Sequence, residues 1–196
     1  MGILIRSASA NDAPGVLDIY APFVRDTPVS FEVDVPELAE MERRIAASQA
    51  THAWLVAEED GLVVGYAYAS THRAREAYQW AAEVSVYVHP GYQRRGLGKA
   101  LYTSLFALLG QMGYRQALAG ISLPNDGSVG LHSSLGFTSI GIYQEIGFKQ
   151  GVWWDTLWMQ KPLGAAPGPG KELVKPEALG KEVWDSALRL GMAALK

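Results

Sequence analysis

The run Gln93-Arg94-Arg95-Gly96-Leu97-Gly98-Lys99 interleaves cationic side chains with glycines. Glycine has no Cβ, so an anion can come close to the backbone there. If a helix starts at this point, its first N–H groups have no intrahelical partner and carry the positive end of the peptide dipoles. Arg94, Arg95 and Lys99 add full charges. The combination is a cradle for a diphosphate. Two named phosphate loops do not describe it. A dinucleotide fingerprint would require glycine where Leu101 stands, and a Walker A loop would require glycine at Gln93 and Ser or Thr at Ala100. Upstream lies Glu83, with Ala81, Ala82 and Val84 as neighbours. A carboxylate in apolar company is disposed to take up a proton, which suits a general base.

These residues need a strand, a turn and a helix to hold them. Val84, Val86 and Val88 alternate with Ser85 and Tyr87, the period of a strand. Pro90-Gly91 ends it. Leu97, Leu101, Leu105 and Leu108 then share one helical face, and Gly110 and Gly113 close that helix. Before this unit, Ile3–Arg6 reads as a short strand, and Asp12 to Tyr20 as a helix ended by Pro22. Pro36 opens a second helix carrying Leu38, Met41 and Ile45. Strands over 54–58 and 62–70 flank Asp60-Gly61, a hairpin signal. After it, 116–122 is a strand and 128–135 a short helix with Gly136 as its left-handed cap. Strands over 138–142 and 153–160 follow, joined by 143–151. Trp153, Trp154 and Trp158 on these late strands read as core or subunit interface.

The 196 residues are 48% hydrophobic and 19% charged, enough for one globular domain with a sizeable core. A net charge of −3 implies no broad nucleic-acid surface. No cysteine is present, so disulfides, thiolate metal sites and a cysteine nucleophile are excluded. No apolar run has the length of a membrane span, and the first residues lack a signal-peptide pattern. A cytoplasmic protein is expected. Composition shifts at the Pro/Gly-rich segment 164–170, so the domain is read as 1–163, with a C-terminal extension over 171–196 that is weakly amphipathic.

The order of elements and the Gln-Arg-Arg-Gly-Leu-Gly loop resemble the GCN5-related N-acetyltransferases over residues 3–162. Three segments are similar to one branch, the phosphinothricin and methionine sulfoximine N-acetyltransferases: Ala74-Arg75-Glu76-Ala77-Tyr78-Gln79-Trp80, Leu123-Pro124-Asn125-Asp126-Gly127-Ser128-Val129-Gly130-Leu131-His132, and Leu135-Gly136-Phe137. The resemblance implies an α+β fold, a mixed, mostly antiparallel, twisted sheet of about seven strands, flanked by about four helices. The central strands would splay to admit acetyl-CoA, with no metal involved. Its pantetheine amides would pair with the backbone of Val86, Tyr87 and Val88, as an added strand does. Its diphosphate would sit on Arg94, Arg95, Gly96, Leu97, Gly98 and Lys99. Asn125 falls where the family holds the pantetheine arm, and it also reads as a helix N-cap. Ser128 is a further cofactor candidate.

The implied reaction moves acetyl to the α-amine of a small amino acid or analogue. Glu83 is the general base, directly or through a water, and a backbone N–H near Val86 or Tyr87 stabilises the oxyanion. Where the wider family carries a tyrosine acid for the thiolate, this chain has His132, which can donate near neutral pH. Arg73 and Arg75 are candidates for the acceptor's carboxylate, Tyr78 for its polar end, and Phe31 for the pocket wall. A homodimer is implied. Two other activities fit the same motifs: acetylation of a protein N-terminus or lysine in an open groove, and acyl-CoA sensing without turnover.

Overall fold

The computed structural model describes residues 2–164 and 169–195. The Pro/Gly segment read at 164–170 therefore lies largely outside the described residues. Seven strands form one sheet in the order β1-β2-β3-β4-β5-β7-β6. They are β1 (Leu4–Ser7), β2 (Trp54–Glu59), β3 (Leu62–Thr71), β4 (Ala81–Val88), β5 (Gln116–Ser122), β6 (Thr138–Lys149) and β7 (Val152–Pro162). The β4–β5 pair is parallel, and the other described pairs are antiparallel. Asp60 and Gly61 both take positive φ, 50° and 83°, the backbone a two-residue hairpin turn requires.

Alternation along the strands sorts side chains onto two faces. Trp54, Val56 and Tyr66 pack under helices α1 (Ala13–Asp26) and α2 (Leu38–Thr51), with Val16, Ile19, Met41 and Ile45. Leu55, Ala67, Ala82 and Val84 pack under α3 (Leu97–Met112), with Leu97, Leu101, Leu105 and Leu109. The helix α4 (Asp126–Ser134) follows β5. It ends as a Schellman motif: Phe137 N–H donates to His132 C=O at 3.1 Å and Gly136 N–H to Ser133 C=O at 3.0 Å, with Gly136 at φ 86°.

Two element boundaries differ from the sequence expectation. Helix α1 runs through Pro22 to Asp26, because Val24 is fully buried beyond it and the burial outweighs the backbone bond that proline cannot make. Strand β6 continues to Lys149, so 143–151 is not a connector. The ladder bulges between Tyr143 and Gly147, where Glu145 has φ 49°, and turns at Gln150 and Gly151. The extension forms a fifth helix, α5 (Lys181–Ala193), laid along α3. A Cβ at Gly191 would overlap Ser104, which shows how close the two axes run. Trp80 Nε1 donates to Lys171 C=O at 2.6 Å, tying the start of the extension to the foot of β4.

His52, where α2 meets β2, is 4% exposed and stacks on Tyr114 at 5.2 Å. Burial pushes its imidazole down to about 4 from the usual 6.5. The unfolded ring therefore takes a proton in a window where the folded one does not, so stability falls as pH drops from about 6.5 toward 4. One group of this kind contributes up to about 3 kcal/mol of acid sensitivity. Burial also lowers His132, which adds in the same direction. Urea midpoints at pH 7 and pH 4.5 should separate clearly for wild type and by less for His52→Gln. Equal separations would contradict this account.

Candidate active site

The β4–β5 ladder consists of three registered pairs, Ala81–Gln116, Ala82–Ala117 and Glu83–Leu118. Beyond Glu83 the two strands diverge, and the β5-facing edge of Val84 to Val88 has no registered β5 partner. Unpaired strand edges in a protein interior demand another partner. The gap opens into a cleft of about 570 Å³, bounded by Val86, Tyr87 and Val88 on one side and Asn125, Ser128 and Leu131 on the other.

The outer end of the cleft is the glycine-bearing loop. After the turn Pro90–Tyr92, Arg94 and Gly96 take φ of 60° and 80°. The first helical bond of α3 is Ala100 N–H to Gly96 C=O at 2.9 Å, so the N–H groups of Leu97, Gly98 and Lys99 precede any intrahelical partner. Gly98 lies against both walls: a Cβ there would stand 3.2 Å from Leu131 and 3.9 Å from Val86 and Val88. Arg94 and Lys99 line the cleft. Arg95 turns aside, its guanidinium 4.9 Å from the Tyr92 ring centre. At the inner end, Asn125 Oδ1 accepts from Ser128 N–H at 3.0 Å, so it caps α4 while facing the cleft.

Inward again, the gap narrows to about 60 Å³ between Val84–Tyr87 of β4 and Ala119–Ser122 of β5. Tyr102, Asn125, Ser128 and His132 line it. His132 is 4% exposed. Its Nδ1 lies 2.8 Å from Ser128 C=O and its Nε2 3.2 Å from Tyr102 Oη. Burial holds the imidazole below its usual range, and the Ser128 carbonyl partly offsets this.

Glu83 stands at the fork of the two strands, on the sheet face opposite Ala82 and Val84. Of the apolar neighbours expected from the sequence, Ala82 and Val84 are therefore on the other side of the strand, and only Ala81 shares the face of Glu83. The Glu83 side chain is 37% exposed, and its carboxylate lies 2.8 Å from His72 Nδ1. The His72 ring meets Tyr78 edge-on at 6.1 Å and Trp158 at 5.8 Å. Arg73 sits 5.3 Å from the Tyr78 ring centre. Glu83, His72, Tyr78 and Arg73 thus form one chain of contacts. Arg75 is exposed at the N-terminus of the short turn Glu76–Tyr78. Phe31 is 39% exposed and lies on the bare face of Gly147 in β6. Its loop is pinned by Lys149 Nζ, which donates to Thr27 C=O at 2.8 Å and Ser30 C=O at 2.5 Å.

Sequence reasoning missed three residues. His72 reaches Glu83 because Thr71 pairs with Ala82, a cross-strand register that no local pattern displays. Tyr102 reads as one more core position of α3. Val29 lines both the cleft and its narrow end, whereas the sequence had pointed to its neighbour Phe31. Among the described residues, no three His, Asp or Glu side chains converge as a metal site would need. Orphan N–H groups and cations, then a free strand edge, then a narrow cavity match a diphosphate, a chain of amides and a thioester in order. Acetyl-CoA fits that sequence of groups.

The splayed parallel pair and the anion-binding turn define an acyl-CoA-dependent transferase. Residues 5–158 match the acetyltransferase (GNAT) domain family, and the chain belongs to it. It is an N-acetyltransferase that uses acetyl-CoA. It is 40% identical over 167 residues to phosphinothricin N-acetyltransferase of Streptomyces viridochromogenes, covering 84% of this chain and 91% of that one. It is 33% identical over 169 residues to L-methionine sulfoximine/L-methionine sulfone acetyltransferase of Salmonella typhimurium, covering 84% and 97%. The crystal structure of a phosphinothricin acetyltransferase from Sinorhizobium meliloti in complex with AcCoA superposes with a TM-score of 0.83 at 36% identity, covering 90% of this chain and 97% of that one. These likenesses agree with the expected fold and cofactor. Among the described residues there are five α-helices where about four were expected.

Proposed function

We propose that this protein acetylates the α-amine of a small amino acid analogue of the phosphinothricin, methionine sulfoximine or methionine sulfone type. The observation that carries the reading is the position of Glu83. It is the last residue paired across β4–β5, at the point where the strands part. The relatives named above act on acceptors of this kind.

An α-amine with a pKa near 8 is mostly protonated at neutral pH and has no free lone pair. Glu83 removes that proton, directly or through a water, with His72 holding one carboxylate oxygen. The nitrogen then attacks the thioester carbon. A backbone N–H of β4 near Val86 or Tyr87 stabilises the oxyanion. The C–S bond breaks with its electron pair on sulfur, and His132 serves the neutralisation of that charge. The N–H groups of 97–99, with Arg94 and Lys99, hold the diphosphate, Arg95 on the Tyr92 ring adds positive charge beside it, and Asn125 and Ser128 flank the pantetheine arm. Arg73, Arg75 and Tyr78 receive the acceptor's carboxylate and polar end, and Phe31 walls the pocket.

A thiol-release assay with acetyl-CoA and a panel of amines tests this reading. Phosphinothricin, methionine sulfoximine and methionine sulfone should be turned over. Acetylation of spermidine or a peptide, with none of the carboxylate-bearing amines, would overturn the pocket assignment. Binding without turnover of any amine would favour a sensor.

A second copy of this chain is the proposed occupant of the β6–β7 face. Ile140, Ile142, Ile146, Phe148 and Trp153 are each more than half exposed there, an apolar surface on the edge of the sheet. Light scattering of the same preparation should give a dimer mass, and a monomer mass at micromolar concentration would refute it. The cytoplasm is the proposed compartment, since the reaction consumes acetyl-CoA.

A further inference from the structure

The narrow end of the cleft holds a hydroxyl that the scheme above leaves idle. Tyr102 lies in the second turn of α3, fully buried, stacked on Phe106 at 4.9 Å and edge-on to His132 at 5.3 Å. It lines the small cavity between the parted strands together with His132. Hydrogen-bond bookkeeping fixes the roles within the pair. Two groups of Ser128 face Nδ1 of His132, the carbonyl oxygen at 2.8 Å and Oγ at 3.3 Å; the nearer carbonyl can only accept, so Nδ1 carries the ring hydrogen and the hydroxyl is at most a second acceptor of it. In the neutral ring Nε2 then has only a lone pair to offer, and it accepts from the Tyr102 O–H at 3.2 Å. Both ring nitrogens are thus engaged, and neither directs an N–H into the cavity. The polar hydrogen that can be redirected belongs to Tyr102, and rotation about its C–O bond is all this requires.

We propose that the Tyr102 hydroxyl, rather than the His132 ring, is the donor to the departing thiolate, and that His132 is the positioning residue that holds it ready. This rests on the acetyl-transfer reading of the cleft. As the amine nitrogen bonds to the carbonyl carbon, the C–S electron pair passes to sulfur. Tyr102 O–H turns from Nε2 to sulfur and donates a charge-assisted hydrogen bond, its proton remaining on oxygen. The ammonium gives up two protons in all: Glu83 takes the first before attack and releases it to solvent, then takes the second as the C–N bond forms, and that second proton balances the thiolate charge. Neutral His132 releases the hydroxyl at little cost because a neutral acceptor is exchanged for an anionic one.

The test is a pH titration of coenzyme A carrying ¹³C next to sulfur, bound to the protein and followed by NMR. It needs no acceptor, so it stands apart from the substrate assignment. A donor to the thiolate should make the bound thiol titrate at lower pH than the free thiol. Tyr102→Phe keeps the ring and should move the midpoint up by about one pH unit, a tenfold change in the thiol's acidity. It should also lower kcat about tenfold or more, with the acceptor KM nearly unchanged. His132→Phe should give a smaller rise, because the hydroxyl remains but is no longer held. Thermal melts check that both variants fold. A midpoint that is unmoved in Tyr102→Phe and raised in His132→Phe would assign the donor to His132 and overturn the proposal. So would a bound thiol that titrates as free coenzyme A does in all three proteins. Failure of every amine in the thiol-release assay, with the titration shift intact, would instead remove the acceptor assignment and leave Tyr102 in place.

Discussion

Glu83→Gln should lower kcat for acetyl transfer at pH 7 by about 10²- to 10⁴-fold, the range a positioned base contributes. The side chain keeps its length and hydrogen-bonding shape, so coenzyme A affinity and the melting temperature should stay near wild type. The reason lies in the ladder: Glu83 pairs with Leu118, and the very next residues border the gap. His72 holds Oε1 at 2.8 Å, and the carboxylate is exposed enough for a water to reach its second oxygen. The pH profile separates loss of a base from loss of packing. As pH rises past the acceptor's own ammonium pKa the amine is deprotonated without help, so the variant's deficit should shrink. His72→Asn should give an intermediate rate, because the carboxylate stays in place but loses the partner that orients it. A deficit independent of pH, or a rate within threefold of wild type at pH 7, would remove Glu83 from the role.

What the sequence revealed of this site, it revealed through local pattern. The valine alternation of β4, the turn at Pro90-Gly91 and the glycines before α3 all act within a few residues. Each therefore leaves a trace that composition and spacing display. Glu83 is legible as a candidate in the same way, as the carboxylate at the head of that strand. Its surroundings were misjudged because chain neighbours on a strand point to opposite faces. The contacts that complete the site are non-local. His72 meets Glu83 through the β3–β4 register, and Tyr102 meets His132 through the packing of α3 on α4. Nothing in either segment alone shows the partner.

The misplaced boundaries have the same origin. Pro22 marks a helix end by its own chemistry, yet Val24 is completely buried two residues later and tertiary burial carries the helix on. In β6 the residues that resemble a connector, Glu145 and Gly147, are where a bulged strand bends. The bare face of Gly147 is also where Phe31 rests. A glycine that reads as a turn in sequence is thus a landing site for another loop in three dimensions.

Gly98→Val is expected to raise the KM for acetyl-CoA by about 10- to 100-fold, the loss of one or two hydrogen bonds to a charged group. Gly98 is the second residue of α3, and its helical backbone needs no glycine for conformational reasons. Alanine there should in fact favour the helix, by up to about 1 kcal/mol. The demand for glycine comes from the cleft. A Cβ would already stand 3.2 Å from the Leu131 side chain, whose flexible tip can yield by a few tenths of an ångström. Two further methyl groups cannot be accommodated in the same way, because Val86 and Val88 close the other side at 3.9 Å. The valine would occupy space beside the orphan N–H groups of 97–99 and keep an anion from reaching them. Gly98→Ala should therefore match or exceed wild type in melting temperature with a modest rise in KM. Gly98→Val should show the large rise with kcat at saturation nearly preserved, since Glu83 and Tyr102 lie further in. Calorimetry with coenzyme A alone measures the same loss without turnover. Unchanged affinity in the valine variant would mean that the diphosphate does not lie on the turn before α3.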